Sequence, residues 1–424
     1  MIKNEKVLVI GSGGREHALV WHLLQFGHRV ECAPGSDAIS EIAPVWGFKN
    51  FDDLLSQIKQ RDLRLVIVGP EVFLADGLVD FLEKNKIATW GPNREAAQLE
   101  TDKSYSKSFC LEMQIPTARA ECLTDIQEFD SAIQNFRSPY VIKAAGLAAG
   151  KGVWIGEDKA EAKKFAKESL DNHSSLLIED FISGREISCF YLVDGENFLF
   201  FGAACDHKRL LDEDVGPNTG GMGAYSPPEI WSEALKNEIE TKILIPTLQG
   251  LTKRKTRYRG FLFLGLMINS KNEPLLIEYN CRMGDPETQV ILPRLKISLL
   301  SLIEDLDSKK PVSSSQIFSS QSSLAVIGAS KEYPSSPSTP VELSELSHIP
   351  SDCFLFHAGT KKEDSQFYGV GGRLFALGAL ANDLGDCRQR VYSWLEQKKL
   401  DRKIHFRKDI GSRKGENNGR DSRI

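Results

Sequence analysis

The sequence predicts a multidomain chain of mixed α/β and α+β class that opens with a doubly wound parallel sheet. Three observations lead there. Short apolar runs alternate with amphipathic stretches through residues 6–92, the pattern of βα units. Apolar strand-like runs lie next to one another in the middle of the chain, as in "SSLLIEDFISGREISCFYLVDG" and "RGFLFLGLMINSKNEPLLIEYN". A Ser-rich connector, "PVSSSQIFSSQSS", then precedes a further unit. A length of 424 residues accommodates about three domains of roughly 150 residues each.

Taken in order, "KVLVIG" reads as a buried strand, "GSGGREH" as a glycine turn opening an amphipathic helix, and "RVECAP" as the next strand. "FDDLLSQIKQRD" and "DGLVDFLEKNK" are helical, and "LRLVIVGPE" and "IATWGP" are strands. "NREAAQLETDKSYSKSFCLEMQ" reads as one helical passage, and "PYVIKAAG" as a strand entering a second glycine loop. The third unit holds the strands "LAVIGAS" and "CFLFHAG" and the helix "LGDCRQRVYSWLEQ". The expected boundaries are an N-terminal domain over 1–101, a central domain over 102–312, a C-terminal β-rich mixed domain over 322–411 and a polar tail over 412–424.

Composition narrows the function. Hydrophobic content of 41% and charged content of 26% fit a globular protein, and a net charge of −5 gives no basic field for nucleic acid. The basic run "TKRKTRYRG" reads as a solvated loop before a strand. Eight scattered cysteines with no C-x-x-C point to a reduced, cytoplasmic protein without a disulfide framework or zinc site. The first apolar run is too short for a signal peptide, and no stretch approaches a membrane span.

Four segments carry the chemistry. "KAAGLAAGKGVWIG" (143–156) crowds Gly146, Gly150, Gly152, Lys143 and Lys151 together. It fails as a P-loop, since that needs G-x-x-x-x-G-K-[ST] and Lys151 is followed by Gly152; a glycine flap closing over phosphates remains. "GSGGREH" (11–17), with Gly11, Gly13, Gly14, Arg15 and Glu16, lies between a strand and a helix, where an anion or polar substrate binds. Glu16 stands where the Rossmann-like dinucleotide fingerprint has a third glycine, but Glu31 lies where a ribose-binding acid belongs, so NAD binding is the runner-up.

In "LLIEYNCRMGDPETQ" (275–289), Glu278 and Asn280 are two apart on a strand and share one face. A carboxylate with an amide oxygen suits a hard divalent cation, and Arg282 and Asp285 follow closely. "DHKRLLDEDVGPNTGGMGAYSP" (206–227) offers Asn218, Thr219, Gly220, Gly221 and Gly223 as a nest of backbone donors. His207 reads as a hydrogen-bonding or structural histidine rather than a base.

Together "VIGSGGREHAL", "GLAAGKGV", "DHK", "GPNTGGMGAYSP" and "NCRMGDPETQVILPRLK" resemble the phosphoribosylamine–glycine ligases of the ATP-grasp superfamily, from Val7 to about Gly411. The resemblance implies an N-terminal Rossmann-like domain, a central ATP-grasp domain with a flap subdomain over about 117–190, and a C-terminal mixed domain. It implies ATP with Mg2+ or Mn2+, glycine and 5-phosphoribosylamine as substrates, glycyl phosphate as intermediate, and a monomer or homodimer.

On this resemblance Lys103 and Lys143 contact ATP phosphates, and Gly146, Gly150, Lys151 and Gly152 form the flap. Glu179 and Asp180, with the Phe181 and Ile182 backbones, sit beside adenine, and Glu186 on the ribose. Glu278 and Asn280 hold the metal, while Arg282 and Asp285 flank the reacting carboxylate. Gly11, Gly13, Gly14, Arg15, Glu16, Asp206, Lys208 and Asn218 to Gly221 enclose glycine and phosphoribosylamine.

Ala145, Ser36, Asp180 and Arg185 depart from the usual aspartate, asparagine and two glutamates of that family. Two rival readings stand beside the ligase: a nucleotide-binding oxidoreductase, and a catalytically weak ATP-binding regulatory relative supported by Ala145 alone.

Overall fold

The computed structural model describes residues 6–147, 152–310, 312, 314–335 and 339–412. Four parallel strands, β1 (Lys6–Gly11), β2 (Arg29–Pro34), β3 (Leu65–Val68) and β4 (Ala88–Trp90), form the first sheet in the order β2-β1-β3-β4. Their runs are apolar throughout because helices cover both faces; Val7, Leu8, Val9 and Ile10 are fully buried.

The helical passage after β4 is two helices, Arg94–Thr101 and Lys103–Glu112. Asp102 breaks it. Its backbone is extended and its carboxylate accepts the N–H groups of Ser104 and Tyr105, a cap that starts the second helix in a new direction.

A small antiparallel sheet follows, from β5 (Ala120–Leu123), β6 (Tyr140–Ala144), β7 (Val153–Gly156) and β8 (Leu176–Asp180), ordered β5-β8-β6-β7. It has its own core, in which Phe129, Ile142, Ala166 and Ile178 are buried together.

The largest sheet takes β9 (Arg185–Asp194) and β10 (Asn197–Asp206), skips the ribbon β11 (Arg209–Leu211) and β12 (Val215–Asn218), and continues through β13 (Gly223–Ser226), β14 (Arg259–Ile268) and β15 (Pro274–Asn280). From the last unit it adds β16 (Ser322–Ala329), β18 (Cys353–His357) and β21 (Arg373–Ala381). Between these lie β17 (Val341–Glu342), β19 (Thr360–Glu363) and β20 (Gln366–Gly369), a separate three-stranded sheet.

The eight strands run β15-β14-β9-β10-β13-β16-β21-β18, each antiparallel to its neighbour. The sheet therefore passes straight through the Ser-rich connector. β13 pairs with β16, Gly223 opposite Val326 and Ser226 opposite Ser323. Connector composition marks a break in the chain, not in the hydrogen-bonding ladder, and the two differ here.

The basic run before β14 is committed to ion pairs. Arg257 and Arg259 bind Asp194 at 2.7 and 2.9 Å, Arg259 also reaches Asp307, and Arg254 pairs with Glu112.

The helix Gly14–Gln25 joins the first sheet to the rest. His17 Nδ1 accepts the His357 N–H at 3.0 Å, and His22 Nε2 accepts the Leu299 N–H at 3.1 Å, at the start of the helix Leu299–Asp307. Each bond needs a ring lone pair, so each imidazole must be neutral. Burial acts the same way, pulling His17 down to about 4 and His22 and His357 to about 3.

The unfolded chain protonates these rings near pH 6.5, whereas the folded chain resists until about pH 4. The unfolded state thus binds more protons in that window, and stability present above pH 6.5 is lost as pH falls toward 4. Melting temperature followed from pH 7 to 5 is expected to fall less in His17→Asn, whose amide oxygen still accepts the His357 N–H, than in the wild type. An equal fall in both would exclude His17 as a source of the acid sensitivity.

Candidate active site

A cleft of about 1110 Å³ lies between the first sheet, the small antiparallel sheet and the edge of the large one. β15 forms its floor. Glu278, Tyr279 and Asn280 all border it, but the Tyr279 side chain is buried in the core, where its hydroxyl meets Thr247 at 2.7 Å. The i, i+2 reading of one strand face holds. A bulge in the β14–β15 pairing between Gly265 and Leu266 leaves Ile277 out of the ladder. Its carbonyl instead accepts from Lys143 Nζ at 3.2 Å. Gly265 makes room for this strand: a Cβ there would lie 3.1 Å from Glu278 Cγ.

Cations surround Glu278. Lys208 Nζ sits 3.7 Å from its carboxylate and 2.6 Å from that of Glu186. Burial alone would raise the Glu278 carboxyl, but Lys208, Lys143, Lys103 and Arg282 hold it down at about 2. Lys103 Nζ donates to Gly146 O at 2.9 Å, and burial lowers its affinity for the proton despite Glu278.

Glu179 is buried between Lys143 at 2.7 Å and Lys107 at 2.9 Å, which keep it ionised against burial. Lys107 was not singled out from the sequence. Its signal was present in the spacing Lys103-x-x-x-Lys107, which puts both ammonium groups on one helix face.

Arg282 is fixed from the first domain. It meets Glu100 at 2.9 Å and Glu71 at 3.1 Å, and Glu100 also accepts the Cys281 N–H at 2.6 Å. Asp285 is bound by Gln289 at 2.6 Å and by Arg373 from β21 at 2.8 Å. Arg373 also donates to Gly220 O at 2.6 Å, tying the last unit to both signature loops.

In the 218–221 loop, the expected nest of free donors does not form. Thr219 N binds Lys208 O at 2.7 Å, Gly220 N binds Tyr333 OH at 2.8 Å, and Gly221 N binds Thr219 Oγ1 at 3.0 Å. The loop shapes the wall with Asn218, Thr219 and Gly220 rather than presenting bare amides. Gly221 has φ +110°, and a Cβ there would meet Pro286 at 2.5 Å and Asp206 at 2.6 Å. Asp206 and Glu287 are both buried in this wall, and burial followed by their mutual repulsion raises Asp206 well above its usual range. His207 is held by backbone bonds to Gly223 and Met222, and burial lowers it to about 4.

The N-terminal loop also satisfies itself. Glu16 Oε2 accepts the Gly13 N–H at 2.8 Å, and Glu16 Oε1 pairs with Arg15 at 2.5 Å. A carboxylate from the chain fills the helix N-terminal niche, so Gly11, Gly13, Gly14 and Glu16 stay behind the cleft surface, and Arg15 alone of this loop lines it. Glu31 is bound by Trp46 Nε1 at 2.7 Å and approached by Arg61 at 3.5 Å, which removes the ribose acid that the oxidoreductase reading needs.

Phe181 and Ile182 line the cleft between β8 and β9, and Asp180 is held by Arg119 at 2.9 Å. Of the flap, Gly146 and Gly152 are described, whereas Gly150 and Lys151 lie outside the described residues. Ala145 is buried, and its backbone binds Ser175 O and the Lys103 N–H. Ser36 caps the short helix Asp37–Ser40, and Arg185 is exposed at the start of β9.

Comparison with known proteins places this geometry in a family. Family models for phosphoribosylglycinamide synthetase match the chain as its N domain over residues 5–100, its ATP-grasp (A) domain over 101–288 and its C domain over 323–413. The chain is 38% identical to the phosphoribosylamine–glycine ligase of Halalkalibacterium halodurans over 96% of both chains. It is 40% identical to that of Listeria monocytogenes, over 96% of this chain and 99% of the other. The crystal structure of the Thermotoga maritima phosphoribosylamine–glycine ligase superposes with a TM-score of 0.81 at 30% identity, covering 96% of this chain and 100% of that one. The biotin carboxylase domain of Hydrogenobacter thermophilus 2-oxoglutarate carboxylase shares the fold alone, with a TM-score of 0.73 at 14% identity, over 96% and 91% of the two chains. The chain belongs to the phosphoribosylglycinamide synthetase family, with its N, ATP-grasp and C domains in order.

Proposed function

We propose that this chain is an ADP-forming carbon–nitrogen ligase that joins glycine to 5-phosphoribosylamine, yielding glycinamide ribonucleotide, ADP and phosphate in purine biosynthesis. One observation carries the reading: a carboxylate–amide pair on β15, Glu278 and Asn280, faces a cleft ringed by Lys103, Lys143, Lys208 and Arg282. That is the charge pattern a polyphosphate with its cation requires.

In this mechanism a glycine carboxylate oxygen takes the γ-phosphoryl group of ATP and ADP leaves. The amine nitrogen then attacks the carbonyl carbon of glycyl phosphate, phosphate departs, and the amine loses a proton. Lys103 and Lys143 hold phosphate oxygens. Phe181 and Ile182 present their backbones to the adenine, and Glu186 takes the ribose. Arg282, braced by Glu71 and Glu100, faces the charge that develops on the transferring group. Asp285, braced by Arg373, and Asp206, Lys208 and the 218–221 loop enclose glycine and the amine. Arg15 reaches the same space, while Glu16 orients it. The flap from Gly146 to Gly152 keeps water from the acyl phosphate.

The residues present fit a divalent cation. Glu278 is ionised, Asn280 lines the same wall of the cleft, and its Nδ2 is buried without a partner among the described residues, so no protein group fixes which way the amide faces. Two hard oxygen donors suffice for Mg2+ or Mn2+, which keeps water and phosphate for its other positions. Bound there, the cation would neutralise phosphate charge.

The departure at Ala145 is compatible with activity. The backbone of this residue makes the local bonds, and its methyl group is buried. The regulatory-relative reading therefore has no support in the cleft. We infer a cytoplasmic enzyme acting as a monomer or homodimer; the eight free cysteines fit a reducing compartment.

Phosphate release from MgATP, with phosphoribosylamine generated in situ, is expected to require both that amine and glycine. ATP binding without turnover would overturn the assignment. Glu278→Ala is expected to lower turnover by at least about a hundredfold and to raise the magnesium concentration giving half-maximal rate. Unchanged magnesium dependence would remove Glu278 from the metal site.

A further inference from the structure

A second cavity, of about 650 Å³, lies against the middle of β10, whose last residues, Cys205 and Asp206, reach the cleft. β10 delivers Asp206 to the cleft and Phe200, Gly202 and Ala203 to this cavity. None of the residues assigned to the ligase reaction lines it.

Its lining is chemically one-sided. Arg294 and Lys296 contribute two cationic side chains, and among the described residues no Asp or Glu lines it. Arg294 is only 8% exposed. It donates to Gln321 O at 2.8 Å, to Ser226 Oγ at 2.7 Å and to Ser319 O at 3.4 Å, all uncharged acceptors. No carboxylate pairs with it among the described residues, and burial alone pulls it down to about 10. Three of the arginines that line the cleft, those that matter to the reaction, each have an acid beside them: Arg282 has Glu100, Arg15 has Glu16, Arg373 has Asp285. A buried guanidinium with no counter-charge is unfavourable unless something supplies that charge. Ser319, in the same lining, buries its Oγ with no partner among the described residues.

The rest of the wall is aromatic. Phe200 and Trp231 stack at 4.9 Å with 9° between their planes, and Phe318 lies 6.0 Å from Phe200 and under the Arg294 guanidinium at 5.4 Å. The volume falls within the roughly 300–1,000 Å³ of small-molecule pockets, far more than an inorganic anion fills.

We propose that this cavity is a second binding site for a small organic anion, a carboxylate or phosphate monoester carrying a flat unsaturated group. The anionic head meets Arg294, Lys296 and Ser319 Oγ. The flat group lies against Phe200, Trp231 and Phe318.

The test is calorimetric titration of phenyl phosphate into the full chain saturated with MgADP. One molecule is expected to bind per chain. Lys296→Glu, an exposed position whose change should leave the melting temperature alone, is expected to weaken binding by at least about tenfold. Arg294→Gln is expected to abolish it, and Trp231→Ala to weaken it. Phenol and inorganic phosphate, each carrying one half of the probe, are expected to bind at least about tenfold more weakly. No binding at millimolar phenyl phosphate would overturn the proposal. Binding unchanged by Lys296→Glu would overturn it by placing the probe in the catalytic cleft. Phenol binding as tightly would refute the anion site, and inorganic phosphate binding as tightly would refute the aromatic one.

Discussion

The structure depends on one buried junction, the guanidinium of Arg282 between Glu100 and Glu71. Arg282 follows β15 directly, and both acids belong to the first domain. Glu100 also takes the N–H of Cys281, so it holds side chain and backbone of the same segment. Breaking one partner of such a group leaves a buried charge exposed to no solvent, which typically costs about 3–5 kcal/mol. The junction therefore fixes the first domain against the strand carrying Glu278 and Asn280. The cleft has its width because these two bodies meet there.

Around that junction the site is balanced charge against charge. Three lysines and an arginine hold Glu278 ionised, and two of those lysines also face other acids: Lys143 meets Glu179, and Lys208 meets Glu186. Each carboxylate orients a cation without neutralising it wholly, because each lysine has more than one neighbour. Such a network is preorganised for phosphate, whose arrival adds anions where cations already converge.

Much of this was legible in the sequence, and what was legible was local. Strand period put Glu278 and Asn280 on one face, and apolar runs gave β1 to β4. What the sequence hid was long-range or self-satisfying. Arg373 lies far along the chain from Asp285, and the pairing of β16 with both β13 and β21 helps bring them together. Glu71 and Glu100 look like ordinary helix acids. The two glycine-rich loops at 11–17 and 218–221 read as anion cradles, yet Glu16, Thr219 and Tyr333 consume their donors. A sequence shows which amides are able to bind a ligand, but not which already have a partner.

The unbroken ladder from β15 to β18 has a consequence for how this protein is able to change over time. A gene fragment encoding only the first two family domains would leave β13 as a bare edge, open to pairing with another chain. Recombination is therefore free to append partners outside this block but not to shuffle its third part away. The heritable module is the whole sheet, and the domain is the smaller unit within it.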